Sequence, residues 1–233
     1  MSFPVVESSP EAPVFAEYIW IDASQAVRSK TKVLWDSIQK HYDLHPSSFP
    51  VWGFDGSSTG QAEGDSSDCA LQPVRVFRDP LRGKGHFLVL CEVMNADGTP
   101  HSTNSRALLR ETREQVGPSI ADACWFGLEQ EYTLFKGAAP LGFGKERRFP
   151  APQGPYYCGV GADEVKGRSL VEDHMHHCTQ AGIHVSGINA EVMPGQWEFQ
   201  VGPLSPLKVG DHLWVARWLL YRLGEKYDIH ATL

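Results

Sequence analysis

No two cysteines in this chain are spaced as CxxC: Cys69, Cys91, Cys124, Cys158 and Cys178 are odd in number and lie far apart. That excludes zinc-ribbon spacing and argues against a disulfide framework, so the thiols are read as reduced. Basic charge is also in short supply. The 21 Lys and Arg against 28 Asp and Glu leave a net −7, which argues against nucleic acid or an anionic membrane as partner and favours a cation or a small charged ligand. No window approaches the ~20 apolar residues of a membrane span. The opening MSFPVVESSPEAP has neither the basic nor the apolar region of a signal peptide. The expectation is a cytoplasmic protein, neither exported nor anchored. With 42% hydrophobic residues in 233, the chain can bury a sizeable core in one large domain or two small ones.

After a tail at 1–13, residues 14–100 are strand-rich: VFAEYIWIDA, VRSKTKVLW, LQPVRVF and HFLVLCEV are divided by Gly, Pro and Asp turn signals. The turn cluster NADGTPHST places a boundary near residue 100, and NSRALLRETREQVG then has helical spacing with a Ser or Thr cap. Over 101–233 the pattern predicts a strand (CWFGLEQEYTLF), a long Gly/Pro loop, a helix (SLVEDHMHHCTQAG), two strands and a final helix (PLKVGDHLWVARWLLYRLGEKY). The class is α+β.

Between strands lies FDGSSTGQAEGDSSD, residues 54–68, with four acids, five hydroxyls and no Lys or Arg. A phosphate cradle of the GxxxxGK[ST] kind carries a lysine, so this loop is not one. Its plain alternative is a solvated connector, since Gly, Ser and Asp favour turns.

Four glutamates stand out. In WFGLEQEYTLF, Glu129 and Glu131 share a face with Gly127 and Thr133, while Phe126, Leu128, Tyr132 and Leu134 take the other. INAEVMPGQWEFQVG reads as a hairpin about Pro194-Gly195 that pairs Met193 with Gln196, Val192 with Trp197 and Glu191 with Glu198. Like charges directly opposite on a sheet are destabilising, so a cation between them is expected. All-oxygen ligands favour Mg²⁺ or Mn²⁺. The alternative is four solvent-facing glutamates, although glutamate is a poor strand former. A rival site is EDHMHHC, where His174, His177 and Cys178 have helical spacing for zinc. GFGKERR (Gly142 to Arg148) opens no helix and is read as a loop.

The motifs YIWIDA, FDGSSTGQAEGDSSD, FRDP, VLCEV, WFGLEQEYTLF, PQGPYYCGVGAD, NAEVMPGQWEFQVGP and GDHLWVARWLLYR, in this order, resemble the glutamine synthetase family of the eukaryotic-like second type. The resemblance runs from about Val14 to Leu233. It implies a small β-grasp domain followed by the first part of the catalytic α+β domain, and ATP-dependent ligation of ammonium to L-glutamate through a γ-glutamyl phosphate. By the same resemblance Glu131, Glu191 and Glu198 hold one Mg²⁺ or Mn²⁺, and Glu129 helps hold the cation on the ATP side. Trp125, Glu129, Glu198, Gln200, Gly202 and Pro203 are the ATP-binding positions. Asp55 helps bind ammonium and takes its proton, with Asp68 and Tyr157 near the same site. The resemblance further implies stacked rings of identical subunits sharing active sites, with the acidic loop entering a neighbour's site. The family continues beyond a position matching Leu233, so the expectation is a fragment that forms no glutamine alone. The alternative is a truncated, non-catalytic paralogue that binds metal or nucleotide or co-assembles with a full-length partner.

Overall fold

The computed structural model describes residues 12–35, 42–143, 150, 152 and 154–233. The sequence reading of the loop to Arg148 therefore lies outside the described residues from 144 onward, as does the tail up to residue 11.

The first sheet is built from β1 (Val14–Ile21), β2 (Val27–Leu34), β3 (Trp52–Asp55), β4 (Asp68–Arg78) and β5 (Phe87–Asn95), in the order β2-β1-β5-β4-β3. The β1–β5 pair is parallel and the others antiparallel. Leu88 to Val93 of β5 are all buried, because both faces of this central strand are covered. That is why FLVLCEV runs nearly unbroken in apolar residues instead of alternating. Tyr18, Leu71, Val89 and Val93 fill one core on one side of this sheet. Ile19, Phe77, Leu88 and Leu90, from the other side, join a second core with residues of the following helices and sheet.

α1 (Ser105–Val116) and the short α2 (Pro118–Ala121) lead into the second sheet. α1 is capped by Asn104, whose side chain accepts from the Ala107 N–H at 3.0 Å, and not by Ser or Thr as the sequence suggested; Asn serves the same purpose. β6 (Phe126–Lys136), the two-residue β7 (Ala139–Pro140), β8 (Val185–Ala190), β9 (Gln196–Leu204) and β10 (His230–Thr232) form a sheet of order β10-β6-β9-β8, with β7 beside β6. α3 (Arg168–Ala181) buries Leu170, Val171, His174, Cys178 and Ala181, one face at helical spacing. α4 (Pro206–Tyr227) begins with proline in its first turn, where the missing N–H costs nothing. It touches β6, β9 and β10 of the second sheet and β2 of the first, so it is buried over a wide arc.

A charge cluster also ties the two parts together. Arg106 of α1 donates to Asp211 of α4 at 2.7 and 3.0 Å and to Glu92 of β5 at 2.6 Å, while Arg75 of β4 donates to Asp211 at 2.6 Å. Asp211 and Glu92 are 2% and 3% exposed, which makes these ion pairs costly to break singly.

His174 settles the zinc alternative. Its ring is fully buried and its Nε2 lies 2.9 Å from the Ala216 carbonyl and 3.2 Å from Cys178 Sγ, while His177 Nδ1 meets its own helix at Asp173 O. These are core and helix contacts, not convergent ligands. Burial holds His174 at about 4, well below its ordinary 6.5, and burial with the nearby Arg75 charge does the same to His212. The unfolded chain therefore takes up these protons first. Stability is fully present above about pH 6.5 and is lost as pH falls toward 4, by about 3 kcal/mol for His174 alone. Thermal melts from pH 8 to 4 should show this slope, and His174→Gln should flatten it; a slope unchanged in the variant would refute the assignment.

Candidate active site

The second sheet presents nine residues on one face in three rows. Glu129 of β6 pairs with Gln200 of β9, which pairs with Gly187 of β8; Glu131 pairs with Glu198, and Glu198 with Asn189; Thr133 pairs with Gln196, whose carbonyl accepts from the Glu191 N–H at 2.9 Å. Alternation along β6 is as expected: Tyr132 and Leu134 are buried on one side and Glu129 and Glu131 exposed on the other. Phe126, assigned to the apolar side, is nevertheless 46% exposed at the strand's start.

The hairpin register differs from the sequence reading. Glu198 lies opposite Asn189 and Trp197 opposite Ala190, so Glu191 does not face Glu198. Pro194 and Gly195, with φ of 73° at Gly195, close a turn from Met193 to Gln196. A turn of this kind does not match strand twist, so Val192 and Met193 stay in the loop and the ladder resumes at Glu191. The slip is two residues, which preserves the face. The glutamate directly opposite Glu198 is Glu131, across β6–β9.

Carboxylate oxygens of Glu131, Glu191 and Glu198 lie within 4.8 Å of one another, with Glu131 exposed and the other two buried. Among the described residues their hydrogen-bond donors are neutral. Gln196 Nε2 donates to Glu131 at 2.9 Å, Asn189 Nδ2 to Glu191 at 3.0 Å, and Gln200 Nε2 to Glu198 and to Asn189 Oδ1. Gly187 makes room for the Gln200 amide, since a Cβ there would stand 2.3 Å from its Oε1. An all-oxygen set of three acids with no lysine or arginine among those donors fits a hard divalent cation. Next to it is an open cleft of about 410 Å³ lined by Gly127, Glu129, Ser186, Gln200, Gly202 and Pro203. Four of the six expected nucleotide positions meet there; Glu198 belongs to the carboxylate cluster, and Trp125 lies just before β6, 79% exposed.

The acidic loop is not a mere connector. Gln61 is 4% exposed and donates to Ile21 O and Thr103 Oγ1, and the Gly56 N–H bonds Ser67 O at 2.7 Å. Asp55 stands directly opposite Asp68 on β3–β4. Asp55 accepts from the Ser57 N–H and hydroxyl at 2.9 and 2.7 Å and from Ser58 at 3.2 Å. Hydrogen bonds from the Ser57 side chain, then from Ser67 and the Ser57 backbone, pull its pKa down to about 2. The same bonds make it a firm anchor for a cation and a weak proton acceptor. Tyr157 belongs with the glutamates: Cys158 N–H bonds Ala190 O at 2.9 Å. Cys158 first, and then the charges of Glu191 and Glu198, raise the pKa of the Tyr157 phenol.

Two family models match the chain: the glutamine synthetase β-grasp domain over residues 13–96 and the glutamine synthetase catalytic domain over 102–233. The chain belongs to the glutamine synthetase family. It is 58% identical over 221 residues to a glutamine synthetase of Streptomyces viridochromogenes, covering 94% of this chain and 62% of that protein. It is 52% identical over 228 residues to the chloroplastic glutamine synthetase of Chlamydomonas reinhardtii, covering 93% of this chain and 58% of the relative. The chain thus spans about 60% of the length of these relatives. A glutamine synthetase structure from Plasmodium falciparum superposes with a TM-score of 0.72 at 12% identity, over 97% of this chain and 48% of that one, a likeness of fold. The β-grasp sheet followed by the start of a glutamine synthetase catalytic domain is therefore the observed architecture.

Asn189 and Gln196 were missed from sequence as parts of the site. The signal was present: they continue the every-second-residue series of Glu191, Glu198 and Gln200 on the same face.

Proposed function

We propose that this chain carries the cation cluster and part of the nucleotide site of an enzyme that ligates ammonium to L-glutamate at the expense of ATP. The observation that carries the reading is the convergence of Glu131, Glu191 and Glu198 beside the cleft holding Glu129, Gln200, Gly202 and Pro203. Glu131, Glu191 and Glu198 would hold one Mg²⁺ or Mn²⁺ and Glu129 would serve the ATP side. Divalent cations there would screen the repulsion between the glutamate γ-carboxylate and the ATP phosphates. Trp125, at the strand's start, would border the nucleotide. Asp55, with Asp68 opposite and Tyr157 from the turn beside the second sheet, would bind ammonium and receive its proton once the serine hydrogen bonds loosen.

Asp55 and Asp68 close the end of the first sheet, whereas the glutamates lie on the second, beside the turn that carries Tyr157. That separation supports a homo-oligomer of stacked rings in which one subunit's loop completes another's site. Division into domains near residue 100 and a cytoplasmic place complete the reading; the five free thiols suit a reducing compartment, and no helix among the described residues is long and apolar enough to cross a membrane.

The test joins residues 1–233 to the remaining portion of the Streptomyces viridochromogenes relative in one polypeptide. Glutamine and ADP should form in equal amounts, with none from residues 1–233 alone. A folded chimera that hydrolyses ATP without making glutamine would sink the reading. In the active chimera, Asp55→Asn should leave ATP and glutamate affinity in place and slow turnover by about 100-fold or more, the range of a lost proton acceptor. Unaltered turnover at saturating ammonium would remove Asp55 from this role.

A further inference from the structure

We propose that the amides of Asn189 and Gln196 are positioning groups that set the cation affinity of the glutamate cluster, an inference that rests on the cation reading above. Each of the three carboxylates receives one amide N–H: Glu131 Oε2 from Gln196, Glu191 Oε1 from Asn189 and Glu198 Oε1 from Gln200. The amides are linked in turn, because Asn189 Oδ1 accepts from Gln200 at 2.7 Å. An amide orients a carboxylate without cancelling its charge; lysine or arginine at the same places would neutralise what the cation needs. The tether occupies one oxygen of Glu131 and of Glu198 and leaves the other for the ion. Glu191 is fixed on both sides, its Oε2 accepting from the Val192 N–H at 3.2 Å. Gln196 matters most for Glu131, the exposed member of the cluster, which reaches the other two from an exposed strand position and is held toward them by this amide. Outer partners of metal ligands commonly change affinity by 10–100-fold through such orientation.

The experiment titrates Mn²⁺ into the 233-residue chain at pH 7, following the electron spin resonance signal of free Mn²⁺, and pairs it with thermal melts in EDTA. Gln196→Met should weaken binding about 10-fold and leave the EDTA melting temperature unchanged. Asn189→Leu should weaken it further, because it releases Glu191 and Gln200 together. The decisive arm is a double-mutant cycle: if Gln196 acts through Glu131, adding Gln196→Met to Glu131→Gln should weaken binding less than about 2-fold more. Unchanged affinity in Gln196→Met, with clear weakening in Glu131→Gln, would overturn the amide proposal and leave the cation reading intact. A lowered EDTA melting temperature in Gln196→Met would also overturn it, by showing a role in folding. No Mn²⁺ binding by the parent chain would overturn both.

Discussion

Asp211→Ala should lower the folding free energy by about 3–5 kcal/mol, the cost of removing one partner from a buried ion pair. Asp211 is 2% exposed and accepts from Arg75 at 2.6 Å and from Arg106 at 2.7 and 3.0 Å. Without it two half-buried guanidiniums are left facing each other, with Glu92 as the acid partner of Arg106. The effect reaches beyond the local pair, because β4, β5, α1 and α4 meet here. Asp122→Ala provides the contrast. Its pair with Arg113 is as short, 2.6 Å, but Asp122 is 42% exposed, and such solvent-screened surface pairs contribute little. Urea denaturation of both variants measures the difference. Replacing both Asp211 and Arg106 by apolar residues should recover part of the loss, since the apolar pair leaves less uncompensated charge. Equal midpoints for Asp211→Ala and Asp122→Ala would show that the cluster does not tie the two parts together.

The second large effect is an inversion of stability order at the glutamate cluster. Glu131 and Glu198 are direct cross-strand neighbours, and without a cation their like charges oppose folding by about 0.2–1 kcal/mol. Glu198→Gln removes that repulsion and keeps an acceptor oxygen for the Gln200 amide. In EDTA this variant should therefore melt no lower than the parent, or slightly higher. With Mn²⁺ at about 100 times its dissociation constant the parent gains about 2.7 kcal/mol by mass action, while the variant, lacking a ligand, gains little. The order of melting temperatures should then reverse on adding Mn²⁺. A parent melt insensitive to both EDTA and Mn²⁺ would mean that these acids do not hold a cation at this position.

Much of the architecture was legible in the residues alone. Alternation in WFGLEQEYTLF put Glu129 and Glu131 on one face and Tyr132 and Leu134 on the other, because the side-chain period of a strand admits no other outcome. The 22 residues of α4 were marked at their start by proline and throughout by apolar spacing. β3 was not legible: Trp52–Asp55 is four residues long, half exposed and half intermediate, too short for a period to show. The parity of the Glu191 and Glu198 hairpin was fixed by sequence, but its register was not. That depended on how a Pro-Gly turn fits the twist of the strands it joins.

What the sequence by itself determined was the set of acids and amides, their faces and the family that orders them. Only the tertiary structure decided who meets whom. It placed Glu131 rather than Glu191 opposite Glu198, threaded neutral amides between the three carboxylates, and buried His174 against Ala216 where its spacing had suggested zinc. It also joined Arg75, Arg106, Glu92 and Asp211, four residues spread over more than a hundred positions, into one cluster. Local periodicity reports which way a side chain points, because that follows from backbone geometry a few residues long. Pairing across strands and packing between layers depend on the free energy of the whole chain, and no short stretch contains them.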